Sequence, residues 1–425
     1  MQHVVVAGAS LAGLRTCEAL RQEGFTGAIT MVGDEVEMPY DRPPLSKKYL
    51  SGEWESDRIR LRPPAEIESL GLTMRLGGRA SGLDTDRQVV ALADGGEVPY
   101  DGLVIATGAS PRHLAGQPAL QGVLSLRTLA GAHHLQALLR TKPEGSPTRL
   151  VVIGAGFIGL EVAATARQMG CTVTVLEGLP APLMRALGAA MGAAVAQVHA
   201  RNGVEVRCGV RVAGLEGSGA GSGKGGAGSV TGVRLDTDEV VPADVVLVGV
   251  GVAPNTRWLE GSGLELRDGV VCDQFLNAGA PGVFAAGDLV RWPNAAFAPD
   301  DDMEMRVEHW TNAAEQGAAA AANLLRWARG NEMVPFSSVP FFWSDQFDSR
   351  IQFIGRAHGD DEVHVFTGSP DAENGKFAAL YGWGGRLRGV LGISSPRFVM
   401  PFRQLLVERA SWDAALAKAE ELTGG

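Results

Sequence analysis

One hydrophobic pattern occurs twice along the chain. An apolar run leads into a glycine-rich turn, a stretch of helical spacing, a second apolar run and then an acidic residue. The first copy covers residues 4–34 and the second residues 150–177. In the second copy, residues 150–153 predict a buried strand, 160–169 a helix and 172–176 another strand. Strand–helix alternation predicts parallel sheets. Two copies of a mononucleotide-binding βαβ unit in one chain predict two dinucleotide sites. Apolar runs ending in glycine at 103–108 and 245–251 mark the chain crossing between domains, and a third such run follows at 283–288. After Asn323 the texture changes. Aromatic and β-branched residues broken by glycine at 340–354 and 376–393 predict a small antiparallel sheet, closed by a helix over 403–422. The fold class is therefore α/β, with two Rossmann-type dinucleotide-binding domains and a small α+β C-terminal domain. Residues 1–110 and 248–328 form the first domain, 111–247 the second and 329–425 the third. Residues 217–232 are mostly Gly, Ser and Ala around a single Lys. Such a segment buries little apolar area and costs much entropy to order, so it predicts a flexible surface loop within a hairpin.

The second glycine turn carries the more specific chemistry. Gly154, Gly156 and Gly159 stand in Gly-x-Gly-x-x-Gly spacing between a strand and a helix. The first allows a tight turn, the second lets backbone approach a pyrophosphate, and the third lets helix and strand pack closely. The helix start then offers N–H groups and a positive dipole end to phosphate. Glu177 follows the second strand and can accept hydrogen bonds from a ribose diol. It would also repel a 2′-phosphate, by roughly 4 kcal/mol at about 4 Å and an effective dielectric near 20. No Arg or Lys immediately follows it, though Arg185 could fold back, so NADH is favoured over NADPH. The first copy departs from the pattern. It reads Gly8-Ala9-Ser10-Leu11-Ala12-Gly13, with Ser10 at the middle glycine's place, and its acid is Asp34 or Glu35. An N-terminal copy paired with an internal one places FAD in the first site.

Composition narrows the partners. The 425 residues allow two or three domains, and the net charge of −10 argues against nucleic acid or an anionic membrane as the main partner. No apolar run is long enough to span a bilayer, and no leader pattern precedes the first strand, which together predict a soluble cytoplasmic protein. Cys17, Cys171, Cys208 and Cys272 include no Cys-x-x-Cys pair. No zinc site, redox dithiol or iron–sulfur centre is expected, and no other metal-ligand spacing stands out.

Six stretches, taken in order, resemble the NADH-dependent ferredoxin reductases of oxygenase systems, the type of putidaredoxin reductase, rubredoxin reductase and the reductases of aromatic-ring dioxygenases. They are residues 39–47 (Pro-Tyr-Asp-Arg-Pro-Pro-Leu-Ser-Lys), 106–112 (Ala-Thr-Gly-Ala-Ser-Pro-Arg), 154–161, 251–255 (Gly-Val-Ala-Pro-Asn), 286–288 (Ala-Gly-Asp) and 343–346 (Trp-Ser-Asp-Gln). The resemblance implies a glutathione-reductase-like flavoprotein architecture, which apoptosis-inducing factor shares. It implies that Gly8, Ser10, Ala12, Gly13, Asp34, Glu35, Ala106, Thr107, Gly108 and Gly251 contact cofactor. Arg42 and Lys47 would lie beside the flavin, Lys47 near its reactive edge, where a cation stabilises negative charge. Arg127 would approach the FAD pyrophosphate. Gly287 and Asp288 would meet the ribityl chain from a helix start. Gly154, Gly156, Phe157, Ile158 and Gly159 would hold NADH. Glu161, at the start of the nucleotide-binding helix, would pair with Lys47 and border the nicotinamide. Trp310 would pack near the isoalloxazine, and Trp343 would lie on the third domain near the flavin.

The resulting expectation is an FAD-dependent NADH:ferredoxin oxidoreductase with Lys47, Glu161 and Trp310 at its reactive centre. Electrons would pass to a [2Fe–2S] ferredoxin that feeds a haem monooxygenase or a Rieske dioxygenase. Ferredoxins are commonly acidic, so docking calls for a local basic patch. Arg58, Arg60 and Arg62 alternate along one segment, as on one face of a strand, and could supply part of it. The absence of Cys-x-x-x-x-Cys after the first nucleotide site sets aside disulfide reduction of the glutathione-reductase type. Reduction of rubredoxin, a quinone or oxygen on the same scaffold stays open, as does a redox-sensing role like that of apoptosis-inducing factor.

Overall fold

The computed structural model describes residues 1–141, 145–218, 228–297, 304–372 and 375–424. The chain packs as two compact units. Unit 1 comprises residues 1–41, 59–110 and 253–342; unit 2 comprises 42–58, 111–252 and 343–425.

Among the described residues, unit 1 is built on a five-stranded sheet, every paired strand of which is parallel. His3–Ala7 lies at its centre, between Ala28–Gly33 and Gly102–Ile105, with Leu72–Leu76 and Val283–Ala285 at the edges. Val4, Val5, Val6 and Ala7 are wholly buried, as a strand covered on both faces requires. Each such valine contributes roughly 1.5–3 kcal/mol by leaving water. The helices Leu11–Gln22 and Trp310–Ala328 pack on one another, and the buried Thr16 hydroxyl reaches the carbonyls of Ala12 (2.9 Å) and Gly317 (3.1 Å). A three-stranded antiparallel sheet, Ala80–Asp84, Val89–Leu92 and Glu97–Pro99, completes the unit's repeat.

Unit 2 repeats the plan. Arg149–Ile153 is central, between Thr172–Glu177 and Val245–Val248, with Glu205–Cys208 and Val123–Leu124 outside. Its antiparallel sheet is Val212–Ser218, Ser229–Leu235 and Val240–Pro242, and Val151, Ile153, Val246 and Val248 share one core with Val230, Val233 and Leu235. The copies agree position by position. Ala7 lies opposite Val32 and Ile105 just as Ile153 lies opposite Leu176 and Val248. Two residues past Ala106 and Gly249, Gly108 and Gly251 both turn the chain with positive φ (+64° and +96°).

Unit 2 also holds a five-stranded sheet in the order Phe341–Gln346, Ser349–Gly355, Arg386–Ile393, Phe377–Trp383, Glu362–Gly368. The strand Glu362–Gly368 was not expected from the sequence; it is exposed or half-exposed throughout, with Phe366 packed against Phe398 and Phe402. The expected single helix over 403–422 is two helices, Arg403–Val407 and Trp412–Thr423. Arg409 takes positive φ between them, and the Ser411 hydroxyl caps the second by accepting from Ala414 N–H. Of the expected loop at 217–232, residues 217–218 and 229–232 are paired strand and 219–227 lie outside the described residues. Arg58, Arg60 and Arg62 do not share a strand face. Arg58 is in a 3-10 turn against the Trp54 ring, and Arg62 is neutralised by Glu18 at 2.7 Å and Glu66 at 3.6 Å.

Candidate functional site

Both glycine turns are built for close approach. Gly8 and Gly154 have φ of +134° and +100°, and a Cβ there would lie 2.1 Å from the Ala106 carbonyl oxygen and 2.4 Å from that of Gly249, respectively. A Cβ on Gly13 or Gly159 would strike the Gly8 or Gly154 carbonyl, at 1.8 and 2.4 Å. These four glycines are demanded by the protein itself. Gly156 is not: its backbone is extended, and a Cβ would meet nothing within 4 Å. That open space lies at the N-cap of the helix Phe157–Gln168, which has no side-chain cap. A helix start with open room at its N-cap and no side-chain cap fits a phosphate. The matching N-cap of Leu11–Gln22 is Ser10, likewise without a side-chain cap bond. The helix of unit 2 therefore starts at Phe157, three residues before the expected 160, because Gly159 lies inside it. Phe157 is half-buried and Ile158 exposed, whereas Ala12 is buried and faces the space beside Gly287, where a Cβ would lie 3.2 Å from the Ala12 methyl.

The acids at the strand ends differ. Glu177 accepts from Ala155 N–H (2.7 Å) and Leu179 N–H (2.8 Å), one on each oxygen. Each oxygen keeps a lone pair for a ribose hydroxyl. In register, the place of Glu177 belongs in unit 1 to Gly33, where a Cβ would lie 2.5 Å from the Ala9 methyl. The acid is displaced to the exposed Asp34, while the neighbouring Glu35 accepts from the Tyr40 hydroxyl at 2.5 Å.

Unit 2 gathers a buried charge cluster. Lys47 Nζ lies 2.6 Å from Glu161 Oε2, and the Ser46 hydroxyl donates to the same oxygen at 2.5 Å. The Ser344 hydroxyl donates to Oε1 at 2.7 Å. Glu161 is only 5% exposed. It sits in the second turn of its helix, not at the helix start as expected, so the dipole does not account for it and its hydrogen bonds do. The turn that carries Ser46 and Lys47 is fixed by Thr165, whose hydroxyl donates to the Ser46 carbonyl at 2.8 Å. In the same unit, Arg42 donates to the Arg127 carbonyl at 2.6 Å.

Unit 1 gathers the remaining candidates. Trp310 opens its helix, with Nε1 donating to Asp41 at 2.8 Å. Thr107 and Asn255 exchange bonds: Asn255 Nδ2 donates to the Thr107 carbonyl at 2.8 Å, and the Thr107 hydroxyl donates to the Asn255 carbonyl at 3.0 Å. Gly287 N–H donates to the buried Gln316 at 2.9 Å. Asp288 does not begin a helix as expected. It lies in a turn that leads into the strand Val290–Pro293, and its carbonyl accepts from Arg306 at 3.0 Å.

A profile of the pyridine nucleotide-disulphide oxidoreductases matches residues 2–317, and one of the reductase C-terminal domain matches residues 341–422. The chain belongs to this family. Rhodocoxin reductase of Rhodococcus erythropolis is 37% identical over 95% of this chain and 89% of its own length. The ferredoxin–NAD(+) reductase component of the anthranilate 1,2-dioxygenase system of Burkholderia cepacia is 36% identical over 96% and 95%. The chain also matches a crystal structure of the covalent putidaredoxin reductase–putidaredoxin complex, with a TM-score of 0.85 and 32% identity over 96% of this chain and 93% of that one. Within the family the chain is thus of the ferredoxin-reductase type of oxygenase systems. It is an oxidoreductase, and the family implies a flavin and NAD(H).

The family's name includes disulphides, but the described structure offers no dithiol: none of the four cysteines is in a disulfide, and burial pushes the thiols of Cys17 and Cys272 far up. No group of His, Cys, Asp and Glu among the described residues could hold a metal ion, and no described helix is long and apolar enough to cross a membrane. Sequence reasoning missed Ser46, Ser344 and Gln346. The last two alternate on the strand Phe341–Gln346 and are wholly buried, while Trp343 and Asp345 are half-buried. Period-two reading of the Trp-Ser-Asp-Gln stretch was the signal available. His309 is half-buried with Nδ1 out of water and unpartnered, and burial pushes its pKa down to about 4. The unfolded chain therefore takes up a proton between pH 6.5 and 4 that the folded protein refuses, so stability falls with pH in that window. Urea unfolding at pH 7 and pH 5 should show a loss that shrinks by about 2 kcal/mol or less in His309→Phe.

Proposed function

We propose that the protein is an FAD-dependent NADH:ferredoxin oxidoreductase, passing electrons to a [2Fe–2S] ferredoxin that feeds a haem monooxygenase or Rieske dioxygenase. The observation that supports it best is the glycine turn repeated once per unit, open at Gly156 in the second, together with the buried Lys47–Glu161 pair beside that second turn. The partner rests on relatives named for rhodocoxin, putidaredoxin and dioxygenase ferredoxins. A cytoplasmic setting goes with it, since NADH is supplied there.

When bound, the flavin supplies the exchange of a two-electron hydride for single electrons. The protein's residues bind and orient. Gly8, Ser10, Ala12 and Gly13 cradle the FAD pyrophosphate with Arg42 and Arg127, Asp34 and Glu35 serve its adenosine ribose, and Ala106, Thr107, Gly108, Gly287 and Asp288 line its path. Gly154, Gly156, Phe157, Ile158, Gly159 and Gly251 receive NADH, and Glu177 takes its ribose. Lys47 holds a positive charge at the flavin's reactive edge, Glu161 fixes that cation at the nicotinamide's border, and Trp310 packs near the ring. The expected domains, 1–110 with 248–328 for FAD, 111–247 for NADH and 329–425 as the C-terminal domain, go with most of these roles; Arg127 and Gly251 are the exceptions, each serving the cofactor of the other nucleotide domain.

Flavin released by heat and identified by chromatography tests the cofactor: FAD at one per chain is expected, and FMN or no flavin contradicts it. Glu177→Ala removes the ribose acceptor and the charge facing a 2′-phosphate. Its kcat/KM for NADH should fall about tenfold or more, the scale of a hydrogen bond to a charged group, while that for NADPH holds or rises. Steady-state rates with both coenzymes check this, and an unchanged preference removes Glu177 from the site.

A further inference from the structure

A hydrogen-bonded chain leads away from Glu161 to a histidine that has no part in the reading above. Ser344 donates to Glu161 Oε1 (2.7 Å), Gln346 Nε2 donates to Ser344 Oγ (3.0 Å), and Gln346 Oε1 lies 2.8 Å from His199 Nε2. Ser344, Gln346 and His199 are all 0% exposed. They come from different elements: Glu161 from Phe157–Gln168, Ser344 and Gln346 from Phe341–Gln346, and His199 from the last turn of Met184–Arg201.

The carboxylate dictates every proton position in this chain. A carboxylate only accepts, so the Ser344 hydroxyl points at it. The Ser344 oxygen then takes an N–H of Gln346, which turns the amide oxygen toward His199. An amide oxygen also only accepts, so His199 carries its proton on Nε2. The bare nitrogen is then Nδ1, and Nδ1 is the ring atom that is buried without a hydrogen-bond partner. An orphaned acceptor is the less costly orphan. Burial pushes the pKa of His199 below its ordinary value, which keeps the ring neutral at pH 7. The edge of the His199 ring also meets Phe347, at 5.3 Å between centroids.

We infer that His199, Gln346 and Ser344 are positioning residues that point three donors in series at Glu161 and so hold its carboxylate in place for Lys47. The inference rests on the reading of Lys47 and Glu161 as the pair beside the flavin. Gln346 separates orientation from proton conduction, because an amide does not relay protons at neutral pH. On the Oε2 side Glu161 is held by Lys47 and Ser46, and Ser344 fixes the other oxygen. Without that donor the carboxylate can rotate away from the geometry Lys47 needs.

Two measurements on the flavin-loaded protein test this separately. Nitrogen NMR of ¹⁵N-histidine-labelled protein should show His199 neutral and protonated on Nε2 at pH 7, with that preference lost in Gln346→Leu. Anaerobic stopped-flow bleaching of the flavin by NADH should show the limiting rate reduced about tenfold in Gln346→Leu and His199→Phe, the upper end for one neutral hydrogen bond. The NADH concentration for half-maximal rate should be little changed. His199→Gln, which returns an amide N–H to the place of Nε2, should recover most of the rate. A His199 proton on Nδ1, or wild-type limiting rates in both disruptive variants, overturns the inference. A wild-type flavin that NADH does not bleach overturns instead the reading of the pair, which the tautomer measurement does not touch.

Discussion

Gly13→Val protein should purify without flavin, and Gly159→Val protein should purify yellow but resist reduction by NADH. Both glycines sit inside a helix where a Cβ would lie 1.8 or 2.4 Å from a backbone carbonyl. Backbone cannot yield as a side-chain tip can, so the added valine forces the helix away from its glycine turn. The cradle geometry in front of that helix is then lost. Because each turn belongs to its own unit, the two losses are expected to be separable. Strain of this kind typically costs about 1–3 kcal/mol, which a domain of ordinary stability survives. Absorbance at purification reads the first loss. For Gly159→Val, the NADH bleaching rate should drop more than about a hundredfold while dithionite still bleaches the flavin, the loss expected when several positioning contacts go together. A Gly13→Val protein with full flavin, or a Gly159→Val protein with normal NADH kinetics, would contradict the assignment of the two cradles.

Removing the Glu161 carboxylate should have the largest effect on stability. Glu161→Leu leaves the Lys47 ammonium without its counter-charge and the Ser344 hydroxyl without its acceptor, and leaves the Ser46 hydroxyl only the Pro43 carbonyl at 3.2 Å. Breaking a buried pair from one side costs roughly 3–5 kcal/mol. The Lys47 side chain keeps 17% of its exposure, which puts the expected loss near the lower end, about 3 kcal/mol. Lys47→Met should cost less, because the carboxylate retains two hydroxyl donors. The double variant Lys47→Met/Glu161→Leu should recover part of the single Glu161 loss, since it buries no unpaired charge. Urea unfolding of the four proteins gives the coupling directly. Additive losses would show that the pair is not coupled and would remove its structural role.

The duplicated βαβ unit was legible because its signals are local: apolar runs, glycine spacing and a terminal acid all lie within about thirty residues. The same locality made Gly154, Gly156, Gly159 and Glu177 readable without any partner in space. Helix starts were less legible. Gly159 looks like a turn residue in sequence, yet it is helical, because what it avoids is the Gly154 carbonyl and not a helix. The resemblance put Asp288 at a helix start, whereas the chain there turns into Val290–Pro293. The Arg58, Arg60 and Arg62 alternation was misleading because a 3-10 turn breaks the period. The Glu161 cluster was half legible. Resemblance supplied Lys47 and Glu161, but Ser46, Ser344, Gln346 and His199 are drawn together from segments separated by 115, 183 and 147 positions at successive bonds. No local pattern encodes such a meeting.

The central claim is that electrons enter from NADH and leave to a ferredoxin. The measurement that tests it most directly is cytochrome c reduction by the purified protein and NADH, with and without added [2Fe–2S] ferredoxin, after an anaerobic spectrum has recorded NADH bleaching of the flavin. Bleaching by NADH, followed by cytochrome c reduction only when ferredoxin is present, is the predicted result. Bleaching with no ferredoxin-dependent transfer, or a flavin bleached by NADPH and not by NADH, would contradict the account.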